Sequence, residues 1–309
     1  MTTLFYSHPA SLDHDTGAMH PESPARFEAV LAALEAPGFA GLERREAPPV
    51  APEQLARVHS EAYVEAVFKA IPETGHVNLD PDTIISPGSG EAARRAAGAV
   101  CAAVDAVAAG EADNAFCAVR PPGHHAERAR SMGFCLFNNV AVGALQARAA
   151  HGLERVAVID FDVHHGNGTQ AMFWGDAKLF YASTHQMPFY PGTGSVEERG
   201  VAGNIVNVPL AAMEGSLEFR HAMSATILPA LKRFAPDFVL ISAGFDAHEA
   251  DPLAGLRLHE DDYTWATEAL LAVARDSCDG RLVSTLEGGY DLHALAASAA
   301  AHVAALMAA

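Results

Sequence analysis

Cationic residues are scarce in this 309-residue chain. Against 20 Lys and Arg stand 38 Asp and Glu, a formal charge of −18 at pH 7. That sign opposes any affinity built on neutralising phosphates, so nucleic acid is excluded as a direct partner, while a cationic substrate is favoured weakly. Cysteine is scarce too. Cys101, Cys117, Cys135 and Cys278 are widely spaced, form no CxxC and sit among apolar residues, which predicts buried free thiols in a reducing compartment. The first fifteen residues have neither a basic region nor a long apolar one, so no export signal is read there. The one long uncharged stretch, 292–309, is rich in Ala with a Ser and two His, which predicts a packed terminal helix rather than a membrane span. The expectation is a cytoplasmic protein with no membrane partner. Charged residues make up only 19% while half the chain is apolar, so disorder is excluded as well.

What is present is alternation. Short runs of Val, Ile, Phe and Tyr at Ala115–Val119, Arg155–Asp160, Leu179–Ser183, Phe238–Ala243 and Leu282–Leu286 predict buried strands. Helical spacing occupies Pro24–Glu35, Ser60–Ala70, Gly90–Ala108, Asn139–Ala150, Ser216–Phe234, Asp261–Ala274 and Leu292–Met307. Strand alternating with helix predicts an α/β fold, a mostly parallel sheet with helices on both faces. Pro48, Pro49 and Pro52 mark a loop, and the flanking segments are too small for separate cores, so residues 1–309 are read as one domain.

The polar clusters follow the strands: Arg120-Pro-Pro-Gly-His-His125, Asp160-Phe-Asp-Val-His-His165, Ser183-Thr-His185, Ala243-Gly-Phe-Asp246 and Glu287-Gly-Gly-Tyr290. Parallel sheets bind ligands beyond their strands' carboxyl ends, so these five clusters are expected in one crevice. Period-2 geometry places Asp160, Asp162 and His164 on one side of the emerging chain and turns His165 away. Asp246 ends a run so apolar that an unpaired charge there is expensive. Asp162, His164 and Asp246 thus make a three-ligand metal site with an open position, in which oxygen and nitrogen donors accept several metals, Zn²⁺ and Fe²⁺ among them. His124 and His125, set on a rigid Pro-Pro-Gly loop, are candidate general acid/base groups, with Asp160 or Asn167 available to fix a tautomer. Tyr290 is a candidate oxyanion donor. Phe134, Phe189 and Tyr190 could line a slot for an aliphatic chain. His20-Pro21-Glu22 reads as positioning the helix that starts near Pro24, with Ser23 as its N-cap.

With these motifs in order, the chain resembles the histone deacetylase superfamily, the arginase-deacetylase fold, over almost its full length. Gly133-Phe-Cys-Leu-Phe-Asn-Asn139 and the continuation of the second cluster to Thr169 extend the match, which is closest to class II deacetylases and bacterial deacetylase-like amidohydrolases. The resemblance implies a zinc held by Asp162, His164 and Asp246, with His125 as general base and acid. His124, oriented by Asp160, would assist electrostatically, and Tyr290 would polarise the acyl carbonyl. Asn167 stands where class I enzymes carry Asp. One potassium is implied near Asp160, Asp162, His164, Ser183 and Thr184, and a second near Phe173, Asp176 and Leu179. The substrate positions implied are His20, Pro21, Gly133, Phe134, Tyr190, Leu253 and Gly288. Tyr190 replaces the usual Phe of one tunnel wall, and Leu253 stands at the gate where polyamine-specific relatives carry Glu. The expected activity is zinc-dependent removal of acyl groups from lysine in peptides or proteins. An acetylpolyamine or other small acyl-amide or ester hydrolase is the alternative. A two-manganese ureohydrolase is disfavoured by the His-His pair and Glu-Gly-Gly-Tyr, and a silent binding module by the completeness of the set. Self-association is left open.

Overall fold

The computed structural model describes residues 2–309. Ten strands run β1 (Thr3–Ser7), β2 (Glu43–Glu46), β3 (Val77–Asn78), β4 (Ile84–Ile85), β5 (Asn114–Cys117), β6 (Val156–Asp160), β7 (Leu179–Gln186), β8 (Ile205–Leu210), β9 (Phe238–Ala243) and β10 (Leu282–Leu286). Eight of them form one sheet in the order β2-β1-β5-β10-β9-β6-β7-β8, with every pairing parallel, while β3 and β4 make a small antiparallel ribbon. The helices are α1 (Ala10–Asp13), α2 (Pro24–Ala33), α3 (Pro52–Ala56), α4 (Glu61–Ala70), α5 (Ser89–Ala108), α6 (Asn139–His151), α7 (Asn167–Phe173), α8 (Ser216–Ala222), α9 (Leu228–Phe234), α10 (Glu260–Cys278) and α11 (Leu292–Ala308).

Alternation along the strands builds a core on each face. In β9, Val239 and Ile241 pack with Phe27 and Val30 of α2, Tyr263 and Leu270 of α10, and Leu295 and Val303 of α11. Phe238 and Leu240 face the other way, toward Ala96, Val100 and Val104 of α5 and Val140 and Ala144 of α6. A strand buried on both faces has no polar side, which is why these segments read as continuous apolar runs. Register sets Asp160 at the end of β6 level with Ser183 of β7 and Ser242 of β9.

Three strands of the main sheet escape the apolar-run criterion. β2 is Glu-Arg-Arg-Glu, a charged and largely exposed edge, and β8 at the opposite edge carries Pro209. The apolar run of β1 is short and begins only three residues into the chain. The helix expected over Ser216–Phe234 is interrupted by a π turn at Met223–Ile227, just ahead of Pro229, whose ring and missing N–H disrupt the regular ladder. Ser23 does sit at the N-cap of α2, but its side chain makes no cap bond. The four cysteines are buried free thiols. Among the described residues no helix is long and apolar enough to cross a membrane.

Candidate active site

The segments after β5, β6, β9 and β10 converge beyond the carboxyl ends of those strands, as their sequence positions predict, whereas Ser183-Thr-His185, expected to end its strand, lies inside β7, which continues to Gln186. Asp162, His164 and Asp246 are buried, and one ligand atom from each lies within 4.8 Å of the others. His164 Nδ1 is 3.1 Å from Asp162 Oδ1 and 3.1 Å from Asp246 Oδ2. Gly288 allows this convergence, because a Cβ there would lie 2.1 Å from Asp246 Oδ2 and 2.6 Å from Asp162 Oδ2. Its N–H donates to Asp162 Oδ2 at 2.8 Å. Burial, with Asp162 close by, pushes the Asp246 carboxyl up to about 7. Two carboxylates and one imidazole nitrogen, crowded together away from water, suit a divalent cation.

The two histidines of the Pro-Pro-Gly loop have opposite environments. His124 Nδ1 bonds Asp160 Oδ2 at 2.9 Å, an oxygen that also accepts from the Tyr181 hydroxyl at 3.0 Å. Burial lowers its proton affinity, but Asp160 and Asp162 outweigh burial and raise it to about 10, which favours the imidazolium. Burial also lowers His125, which His124 and His164 push well below the ordinary value, a direction that favours the neutral ring. Its Nδ1 lies 2.8 Å from Asn167 Oδ1, an acceptor, which places the ring proton on Nδ1 and leaves Nε2 as a base. Asp160 and Asn167 thus each hold one histidine. His165 turns elsewhere, bonding Thr193 at 2.7 Å and Gln170 at 3.0 Å, as period 2 requires.

Around this centre lie the slot residues. Gly133 and Phe134 both have positive φ, 57° and 67°, and a Cβ on Gly133 would meet His125 Cδ2 at 2.3 Å. Half-buried Phe134 packs edge-on against Tyr290 at 5.9 Å and His20 at 4.7 Å. Tyr190, 37% exposed, stands edge-on to His125 at 5.2 Å, and Phe189 stacks on His164 at 5.2 Å. Half-buried Tyr290 carries a hydroxyl that burial keeps protonated far above the ordinary range. Leu253 N–H and Tyr290 N–H are both held by Asp251, at 2.9 Å and 2.7 Å. Pro21 is half-buried beside His20.

Several positioning groups carry no separate signal in the sequence. Glu287 Oε2 accepts from Gly123 N–H at 2.6 Å and His124 N–H at 3.1 Å, tying the histidine loop to the end of β10. Arg26 of α2 donates to the carbonyls of Gly289 at 2.5 Å and Glu287 at 2.6 Å, with its guanidinium 4.9 Å over the Tyr290 ring. Buried Glu22 in turn joins Arg26 and Arg120. Arginine and glutamate buried at i, i+4 were the one available hint. At the predicted potassium positions, Ser183 and Thr184 are buried beside Asp160, with Ser183 Oγ 2.9 Å from His185. The carbonyls of Phe173, Asp176 and Leu179 converge, and all three accept from Asn204 Nδ2, at 2.9, 3.2 and 2.8 Å.

Comparison with known proteins agrees with this arrangement. The histone deacetylase domain matches residues 20–306. The histone deacetylase-like amidohydrolase of Pseudomonas aeruginosa is 45% identical over 279 residues, covering 88% of this chain and 73% of its own. Histone deacetylase 14, chloroplastic, of Arabidopsis thaliana is 40% identical over 98% of this chain and 76% of its own. The crystal structure of the HDA15 HD domain superposes with a TM-score of 0.94 at 36% identity, covering 99% of this chain and 90% of that one. With fold, domain match and relatives in agreement, this chain belongs to the histone deacetylase family and is a hydrolase of the deacetylase/amidohydrolase kind.

Proposed function

We propose that the protein removes acyl groups from lysine side chains of peptides or proteins, using one Zn²⁺ held by Asp162, His164 and Asp246. The observation that carries this reading is geometric: His125, its Nδ1 held 2.8 Å from Asn167 Oδ1, stands beside that ligand cluster with its ring centroid 5.9 Å from that of His164. When bound, the ion supplies Lewis acidity toward the acyl oxygen and lowers the pKa of water. His125 Nε2 accepts the water's proton and returns a proton to the departing amine. The protonated Tyr290 hydroxyl donates to the developing oxyanion, and cationic His124, fixed by Asp160, adds positive charge beneath it. Phe134 and Tyr190 flank the entry, and Gly133 offers its carbonyl to the substrate amide.

Leu253 favours acyl-lysine over acetylpolyamine, because an ammonium desolvated beside it finds no counter-charge. A potassium near Asp160, Asp162, His164, Ser183 and Thr184 fits a region rich in buried carboxylate. At Phe173, Asp176 and Leu179 an ion would have to displace the Asn204 amide. A cytoplasmic location accords with the four free thiols. The test is turnover of acetyl-lysine peptides and of N8-acetylspermidine, with and without chelator, by the unmodified protein and Asp246→Ala. Peptide turnover that needs both metal and Asp246 is expected. A tenfold or greater preference for the polyamine would reassign the substrate, and full activity in metal-free Asp246→Ala would end the metal assignment.

A further inference from the structure

The tautomer of His125 depends on which end of the Asn167 amide faces it, and an amide is nearly symmetric in shape. With Oδ1 toward His125, the ring keeps its proton on Nδ1 and Nε2 is a base. With the amide turned over, Nδ2 would donate to Nδ1, the ring proton would move to Nε2, and the base would vanish. An aspartate in that place has two equivalent acceptor oxygens and no such ambiguity. Something must therefore hold the asparagine the right way round.

We propose that Glu127 is that latch: a positioning residue that fixes the Asn167 amide and, through it, the basic tautomer of His125. Glu127 Oε1 accepts from Asn167 Nδ2 at 2.9 Å, the shortest contact that nitrogen makes. Its other contacts, to the His125 carbonyl and to Met132 Sδ, are both 3.4 Å and weak. In the reversed orientation Oδ1 would confront the Glu127 carboxylate, acceptor against acceptor, so Glu127 penalises the wrong state as well as favouring the right one. Glu127 is itself held in place. Its backbone N–H bonds the Arg130 carbonyl at 2.9 Å, and its carbonyl lies 2.9 Å from His59 Nδ1. It forms no ion pair among the described residues, which leaves the carboxylate free for the amide. Glu127 touches neither the ligand cluster nor the slot, and its effect reaches the reaction only through Asn167.

This inference rests on the acid/base role of His125, and the experiment separates the two. Glu127→Ala, Glu127→Gln, Asn167→Asp and Glu127→Ala/Asn167→Asp are compared in kcat and KM on whichever acyl substrate the unmodified protein turns over. Glu127→Ala should lower kcat by about tenfold or more with KM little changed, since a histidine in the wrong tautomer cannot serve as base. Glu127→Gln keeps an acceptor oxygen and should restore most of the activity. On the Asn167→Asp background, where the partner of His125 can only accept, Glu127→Ala should cost little. Long-range ¹H–¹⁵N spectra should show His125 protonated at Nδ1 in the unmodified protein and at Nε2 in a substantial fraction of Glu127→Ala. Equal loss on both backgrounds, or near-normal kcat in Glu127→Ala, overturns the latch. Retained activity in His125→Ala would instead remove the base assignment itself.

Discussion

In the proposed reaction Tyr290 and Gly133 serve the site in different ways, one by a donor and one by the absence of a side chain. The Tyr290 hydroxyl should matter in the transition state more than in binding. Tyr290→Phe is expected to lower kcat by roughly 10²–10³ with KM little changed, the range for losing one oxyanion donor. Steady-state kinetics on the acetyl-lysine peptide checks this, and a near-normal kcat would move the oxyanion role elsewhere. Gly133→Ala would force a Cβ into the His125 ring and a side chain into a left-handed backbone. Activity should fall below a tenth of normal while the melting temperature drops by only a few degrees, about 1 kcal/mol at this chain length. The residues proposed to act through their own chemistry were legible in the sequence: Asp162, His164, Asp246, His125 and Tyr290 sit in short motifs at strand ends. Glu22, Arg26, Glu127 and Asp251 were not, because each acts on a partner distant in the chain or across a turn, and spacing reports only local geometry.

Helix α2 packs Phe27 and Val30 into one core while its Arg26 reaches the Glu287-Gly-Gly-Tyr290 loop. An element that looks merely structural therefore shapes the loop that carries Tyr290. Arg26→Met would remove the cation between Glu22 and two loop carbonyls and leave Glu22 buried with Arg120 as its remaining arginine partner. The expected loss is about 3–5 kcal/mol, the usual cost of breaking a buried pair, measured by denaturant unfolding. A loss under about 1 kcal/mol would show that the network can do without it. At this scale the sequence revealed the interior strands well, since burial on both faces leaves continuous apolar runs. It hid the edges β2 and β8, which solvent and proline make polar or irregular, and the π turn before Pro229, which interrupts a helix without changing its apolar spacing.

Across the whole molecule, five histidines outside the acidic cluster are buried and held below the ordinary imidazole range. Burial holds His14, His59 and His185 down to about 4, and His165 and His302 down to about 3. The unfolded chain takes up protons on these rings below about pH 6.5, whereas the native protein does not until far lower. The unfolded state therefore binds more protons in that window, and stability rises with pH across it, by about 1.4 kcal/mol per pH unit for each such ring. Glu22 adds to the same trend at lower pH. Burial raises its pKa, but Arg120 and Arg26 outweigh burial and bring it down to about 2, so its contribution is present above about pH 4.5 and is lost as pH falls toward 2. The buried carboxyls of Asp246 and Glu287, raised to about 7, take up protons in the native state over this same window and oppose the trend. With five rings set against two carboxyls, urea midpoints should fall from pH 7 to pH 4.5, and a rise there would contradict this account. The single α/β domain and its crevice followed from strand–helix alternation, whereas these buried rings look in sequence like any other histidine.

The sheet order has a consequence for synthesis. Among the described residues β10, the last strand, is the only strand that pairs β2-β1-β5 on one side with β9-β6-β7-β8 on the other. During synthesis no strand pairing joins the two half-sheets until residues 282–286 emerge. His124 and His125 belong to one half, while Asp162, His164 and Asp246 belong to the other. A chain that stops short of β10 therefore lacks the strand that sets the two histidines level with the acidic cluster.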